Sequence, residues 1–281
     1  MVILSTLLLS FIIIFTILYF YTFHQVKKLP FNSPANFLKS DNSNQETQTV
    51  ICIGDSITHG QVSYNYVNIL SNKISKEGYE FINAGINGNL AFNVLKRIES
   101  VIACNPDYIT VLIGTNDVNA TLSEKNNARY IKNMSLPEKP GIEFFQQSYT
   151  NLIIELKKRT KAKIALLSLP PIGEDKNHIS FQRTIEYSKI IKNLSIEQKV
   201  DYLSLNEKMN NYLGPNHSPK LFYDDGFKWV MIKSYFLHFL FGYSFNRISS
   251  KNGFLIITDF LHLNSNGAKL VADLIHKWLI K

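Results

Sequence analysis

The sequence predicts a three-layer α/β domain on a parallel sheet, preceded by one apolar helix able to span a bilayer. From residue 49 onwards short apolar runs alternate with stretches whose apolar residues recur every three or four positions, the pattern of strands joined by crossover helices. Ahead of that domain, residues 2–23 hold no ionisable side chain except tyrosine, and a helix of that length is about 33 Å long. Both segments fit a chain that is 45% hydrophobic and 19% charged, with 13 Gly and 9 Pro among 281 residues, which excludes a disordered or low-complexity protein.

The elements follow in order. Residues 1–24 read as an uncleaved transmembrane anchor: no Lys or Arg precedes the apolar run, the run exceeds a signal peptide's core, and no clean small-residue cleavage site follows. The competing reading is a cleaved signal peptide. Tyr19, Tyr21 and Phe23 form an interfacial belt before His24, Lys27 and Lys28. This makes a single-pass membrane protein, although two lysines do not fix which side of the membrane bears the domain. Residues 25–48, polar and with two prolines between 29 and 48, read as a tether to a domain over 49–281. TVICIGDS (49–56) is a first strand, and Tyr66, Val67, Leu70 and Ile74 mark a helix. FINAG (81–85) is a second strand, followed by a helix over 89–103. DYITVLIGTND (107–117) has the β-branched run of a buried parallel strand. Residues 118–140 read as a long connection before a helix carrying Phe145, Leu152, Ile153 and Leu156. KIALLSLPP (163–171) is a fourth strand stopped by prolines, DYLSL (201–205) a fifth, and Val271 to Leu279 a closing helix capped by Ser265 or Asn266.

The net charge of +8 comes from lysines spread along the chain. Diffuse positive charge suits an anionic lipid or polymer, while the lack of an Arg-rich stripe excludes nucleic acid as a partner. Two cysteines, Cys52 and Cys104, make neither a disulfide framework nor a four-ligand zinc site, and read as small buried residues. His24, His178, His217, His238 and His276 show no ligand spacing.

In an open parallel sheet the reactive groups gather at the carboxyl ends of the strands. Three such loops carry small polar clusters, GDSITHG (54–60), NAGINGN (83–89) and GTNDVNA (114–120), and a fourth, DFLHLN (259–264), precedes the last helix. These blocks, in this order over nearly all of 49–281, resemble those of the SGNH/GDSL hydrolase family: GDS at 54–56, Gly88, Asn116 and Asp259-x-x-His262. The resemblance implies a flavodoxin-like α/β/α sandwich and a serine esterase or lipase with no metal and no cofactor. It also implies an oxyanion hole made by the backbone amides of Ser56 and Gly88 and the side-chain amide of Asn116.

The residue chemistry agrees. A serine hydroxyl needs a base within hydrogen-bond reach, and His262 is the candidate. Asp259, three residues earlier, can hold one ring nitrogen and stabilise the imidazolium. Asp55 and Asp117 read as structural acceptors of loop amides, and His59 as a loop or substrate-rim residue.

Residues 209–254 depart from a minimal domain. Their aromatic stretch, FKWVMIKSYFLHFLFGYSF (227–245), reads either as a helix packed on the domain, burying Trp229, Ile232, Phe236, Phe239 and Leu240, or as the wall of an acyl groove or a bilayer-facing patch. The leading expectation is a membrane-anchored carboxylic ester hydrolase acting through an acyl-enzyme. Its substrate is a lipid or lysophospholipid, or an acetyl ester on a polymer. The alternatives are an acyltransferase using the same intermediate and a non-catalytic, membrane-tethered binding protein.

Overall fold

The computed structural model describes residues 2–40, 47–224 and 226–281; residues 41–46 of the expected tether and Asp225 of the insertion lie outside it. The helices are α1 (Val2–Lys27), α2 (Pro34–Phe37), α3 (Ser56–His59), α4 (Tyr66–Ile74), α5 (Ala91–Lys96), α6 (Glu99–Ile102), α7 (Thr115–Ala120), α8 (Glu124–Met134), α9 (Ile142–Arg159), α10 (Ile179–Glu197), α11 (Leu205–Leu213), α12 (Phe227–Phe239), α13 (Phe245–Asn252) and α14 (Ser265–Leu279). The strands are β1 (Gln48–Gly54), β2 (Tyr79–Gly85), β3 (Tyr108–Leu112), β4 (Lys163–Leu167) and β5 (Asp201–Leu203).

All five strands pair in parallel in the order β2-β1-β3-β4-β5. Val50, Ile51, Cys52 and Ile53 are all fully buried, as expected for a central strand covered on both faces. Right-handed crossovers settle the layers. The chain moves outward from β1 to β2 and then back across β1 to β3, so α4 covers one face while α5, α9 and α10 cover the other. The contacts agree, with α14 against α4 and both α5 and α10 against α9. The direction reverses between β1 and β3, and the crevice opened there is where such sheets bind ligands.

Three expectations need correction. The helix over 89–103 is two short helices, α5 and α6, broken at Arg97, whose guanidinium turns inward to donate to the carbonyls of Gly54 and Ala84 and to the side chain of Asn89. The connection 118–140 contains the end of α7 and all of α8, whose apolar residues are too few to advertise a helix. The closing helix is capped by Asn264, which accepts from the amides of Asn266 and Gly267, rather than by Ser265 or Asn266.

The segment after α1 also has structure. Asn32 exchanges two hydrogen bonds with the outer edge of β2, accepting from Asn83 N and donating to Phe81 O. That covers an otherwise open strand edge.

Close packing at the strand ends makes two glycines obligatory. A Cβ on Gly54 would lie 2.6 Å from the Leu112 carbonyl, and one on Gly85 would lie 2.1 Å from the backbone nitrogen of His59. We expect Gly85→Ala to lower unfolding free energy by more than about 2 kcal/mol, read from urea denaturation of the full chain in non-ionic detergent. An unchanged midpoint would show that α3 is not seated against β2 as described.

Candidate active site

The site begins at the end of β1. Asp55 caps the four-residue helix α3, its Oδ1 accepting from Ile57 N at 2.9 Å, and Gly60 ends that helix with φ of 80°. So short a helix holds Ser56 at its first position, facing the crevice and 8% exposed. Its Oγ lies 2.9 Å from His262 Nε2, and His262 Nδ1 lies 2.9 Å from Asp259 Oδ2. The other Asp259 oxygen accepts from the amides of Leu261 and His262 at 2.8 and 2.9 Å, which fixes the carboxylate within its own loop. Ser56, His262 and Asp259 thus form one hydrogen-bonded line. Such a line can take a proton from a hydroxyl at one end while a buried carboxylate steadies the imidazolium at the other.

The histidine loop is tied down from outside. Glu174, fully buried, accepts from the amides of Leu255, Ile256 and Ile257 and from His217 Nε2 at 2.6 Å. Ser63 Oγ accepts from Leu263 N, and Tyr64 N donates to Leu263 O. Nothing in the spacing of Glu174 or His217 distinguished them beforehand, because their partners are main-chain amides 81–83 residues away or each other.

Gly88 and Asn116 stand beside Ser56 around one cavity of about 240 Å³. Gly88 has φ of 78°, a conformation that favours glycine. Among the described residues neither the Ser56 nor the Gly88 backbone N–H has an acceptor. Asn116 Nδ2 donates to Asn89 O at 3.0 Å and faces Asp55 Oδ2 at a long 3.4 Å, while its Oδ1 accepts from Tyr130 OH at 2.7 Å. Behind it a buried chain continues: Asn119 donates to Tyr130 OH, Tyr223 OH donates to Asn119, and Asn126 donates to Tyr223 OH. Tyr130 and Asn126 carry no sequence signal of this role, because α8 has too few apolar residues to show a helical pattern; one turn apart on that helix, they share its inner face.

His59 departs from expectation. It is 2% exposed, does not line the cavity, and burial pushes its pKa down to about 4, so it is neutral and packed beneath the site rather than at a rim. Asp55 and Asp117 do accept loop amides, from Ile57 and Ala91. Burial pushes their pKa values up to about 6 and about 8. Burial also pushes Cys52 up to about 12, which leaves an unreactive thiol. Among the described residues no group of three or more His, Cys, Asp or Glu is placed to hold a metal ion.

The aromatic insertion supplies the far wall. Phe227, Met231 and Tyr235, spaced one helical turn apart on α12, face the cavity. Trp229 lies on the opposite side and is 74% exposed, which corrects the expectation that it is buried. The last turn of α1 completes the enclosure: Val26 lines the cavity and packs with Val62 and Tyr235, and its carbonyl accepts from Asn87 Nδ2 at 2.7 Å. Phe15 of α1 stacks on Phe236 of α12. Leu9–Lys27 is long and apolar enough to cross a membrane.

Comparison with known proteins gives a consistent picture. The GDSL-like lipase/acylhydrolase family model matches residues 52–270. An acetylxylan esterase from Geobacillus stearothermophilus is 24% identical over 196 residues, 63% of this chain and 84% of the relative. The crystal structure of the acetyl xylan esterase AlAXEase superposes with a TM-score of 0.57 at 24% identity, covering 82% of this chain and 99% of that one. That of Axe2, an acetylxylan esterase from G. stearothermophilus, gives 0.59 at 17% identity, covering 82% and 93%.

The raised pKa of Asp117 has a signed effect on stability. A carboxyl whose pKa rises on folding stabilises the fold fully below its ordinary value of 3.8, and that contribution is lost as pH climbs towards about 8. Asp117→Asn keeps an acceptor for Ala91 N without the charge. The variant's melting temperature relative to the parent should therefore rise from pH 5 to pH 8 and level off above; a constant difference across that range would place Asp117 in a solvated setting.

Proposed function

The chain belongs to the GDSL-like lipase/acylhydrolase family and is a carboxylic ester hydrolase, and on that premise we propose that it is a membrane-anchored serine esterase releasing short acyl groups, acetyl foremost, from an alcohol. The observation that carries this reading is the unbroken line from Ser56 Oγ through His262 to Asp259 at the edge of a 240 Å³ cavity. That volume lies below the roughly 300–1,000 Å³ of sites that enclose drug-sized ligands, which favours a short acyl group over a fatty one. The acetylxylan esterases among the relatives support the same choice.

In this mechanism His262 Nε2 takes the Ser56 proton as Oγ attacks the ester carbonyl carbon, and Asp259 holds the Nδ1–H and steadies the imidazolium. The tetrahedral oxyanion accepts from the amides of Ser56 and Gly88 and from Asn116 Nδ2, which gives up its long 3.4 Å contact with Asp55 to donate. Collapse breaks the bond to the alkoxy oxygen, which leaves with the proton from His262. Water then attacks the acyl-enzyme, its proton passing to His262, and the acid departs as Ser56 is restored. Tyr130 is a positioning residue: by donating to Asn116 Oδ1 it aims the opposite end of that amide at the oxyanion.

Anchoring by residues 1–24, with 25–48 linking them to the catalytic domain at 49–281, draws support from α1 itself. Removal of α1 as a cleaved leader would take Val26 from the cavity wall and the Val26 carbonyl from Asn87. The exposed apolar side chains of α1, from Leu9 to Tyr21, find their solvent in a bilayer.

For the full chain in non-ionic detergent, Ser56→Ala should cut turnover of 4-nitrophenyl acetate by at least about 10³-fold with an unchanged melting temperature. Rates should fall from acetate to palmitate; a palmitate optimum would overturn the short-acyl reading in favour of a lipid substrate. Tyr130→Phe should lower kcat about tenfold with little change in KM, a smaller loss than the 10²–10³ of deleting an oxyanion donor. A change confined to KM would place Tyr130 in ground-state binding instead.

A further inference from the structure

The walls of the catalytic cavity are electrostatically one-sided. Arg129 of α8 and Lys228 of α12 both line it, and among the described lining residues there is no Asp or Glu. Arg129 is held between two rings, its Cζ 5.0 Å from the centroid of Tyr130 and 4.9 Å from that of Phe227, so the guanidinium is presented in a fixed plane. Among the described residues no carboxylate lies within ion-pair distance of either cation. Lys228 is half-buried, and its pKa is drawn down by burial first and then by the neighbouring charges of Arg129 and Lys125. Two like charges side by side, with no carboxylate paired to them among the described residues, repel each other. An anion entering the cavity relieves that repulsion.

Building on the ester hydrolysis proposed above, we infer that the alcohol half of the substrate carries an anionic oxygen group, a carboxylate or a phosphate, bound by Arg129 and Lys228. An acetyl group has no charge to offer, so the anion belongs to the alcohol. A planar guanidinium pairs with either group through two parallel N–H···O bonds, and the lysine ammonium serves as a point charge beside it. The anion also fixes the direction in which the ester enters, because only one end of the substrate can sit between α8 and α12.

The test compares three acetate esters on the full chain in non-ionic detergent: 4-acetoxybenzoate, 4-acetoxyphenyl phosphate and the neutral 4-acetoxybenzamide. Each kcat/KM is divided by the ester's own hydroxide-catalysed rate to remove differences in leaving group. We expect one or both anions to exceed the amide by at least about tenfold, and the better of the two identifies the group. Arg129→Gln and Lys228→Gln should each lower that ratio about tenfold, and Arg129→Lys, which keeps the charge but loses the planar pair of N–H donors, should restore only part of it. Ratios near one in the parent, with turnover of the neutral ester still abolished by Ser56→Ala, would overturn the anionic substrate and leave the esterase standing. If no ester is turned over, the esterase reading falls. Calorimetric titration with 4-hydroxybenzoate against 4-hydroxybenzamide then reads the charge site alone: tighter binding of the anion that is lost in Arg129→Gln upholds it, and equal or absent binding overturns it.

Discussion

A serine at the end of the first strand and a histidine 206 residues further along the chain meet at 2.9 Å, and most of the polar architecture of the domain serves that contact. Hydrogen bonds tolerate only a few tenths of an ångström, so both partners need rigid supports. On the serine side the support is steric: Gly54 and Gly85 let α3 press against β1 and β2 at distances no side chain would permit. On the histidine side it is polar. Glu174 gathers three consecutive amides from the strand-like run before the loop, and Thr258 N closes the loop on His262 O at 2.7 Å. Loss of one such partner would leave buried amides unsatisfied, each costing about 1–3 kcal/mol. The loop is thereby held in a single conformation, the condition for a base to act without reorganising.

The same economy explains the acids beneath the site. Asp55 and Asp117 sit buried at the carboxyl ends of β1 and β3, where helix amino termini meet and amide donors outnumber acceptors. Each satisfies such donors, and desolvation raises both pKa values. Arg97, half-buried beneath the ends of β1 and β2, moderates the effect for Asp55 and donates to the carbonyls of Gly54 and Ala84.

How much of this was legible beforehand follows from the range of each interaction. The strands were visible because burial on both faces demands continuous apolar runs such as Val50–Ile53. Ser56, Gly88, Asn116, Asp259 and His262 were visible because each lies in a short polar cluster at a strand end or before a helix. Tyr130 was hidden: α8 is polar enough to read as a loop, and its tyrosine acts on Asn116 through a contact that no local pattern encodes. Glu174 was hidden for the same reason. Trp229 was misjudged because 227–245 is aromatic on every side, so periodicity could not choose the inward face. The structure chose Phe227, Met231 and Tyr235, the stripe that meets both the cavity and α1.

That stripe ties the apolar helix to the chemistry. Tyr235 packs in one small cluster with Val26 and Val62 and lies 6.1 Å from the His262 ring, so it bridges the end of α1 and the proposed base. In the anchored arrangement proposed above, α12 runs beside α1, with Phe236 stacked on Phe15 partway along the apolar segment. A helix that only tethered the domain would need no carbonyl bonded to Asn87, a neighbour of Gly88. Because it has one, any tilt of α1 would be transmitted to the residue adjoining Gly88, the proposed oxyanion donor. In that proposed anchored arrangement, the geometry of the site and the seating of α1 are one mechanical problem, solved by the same few side chains.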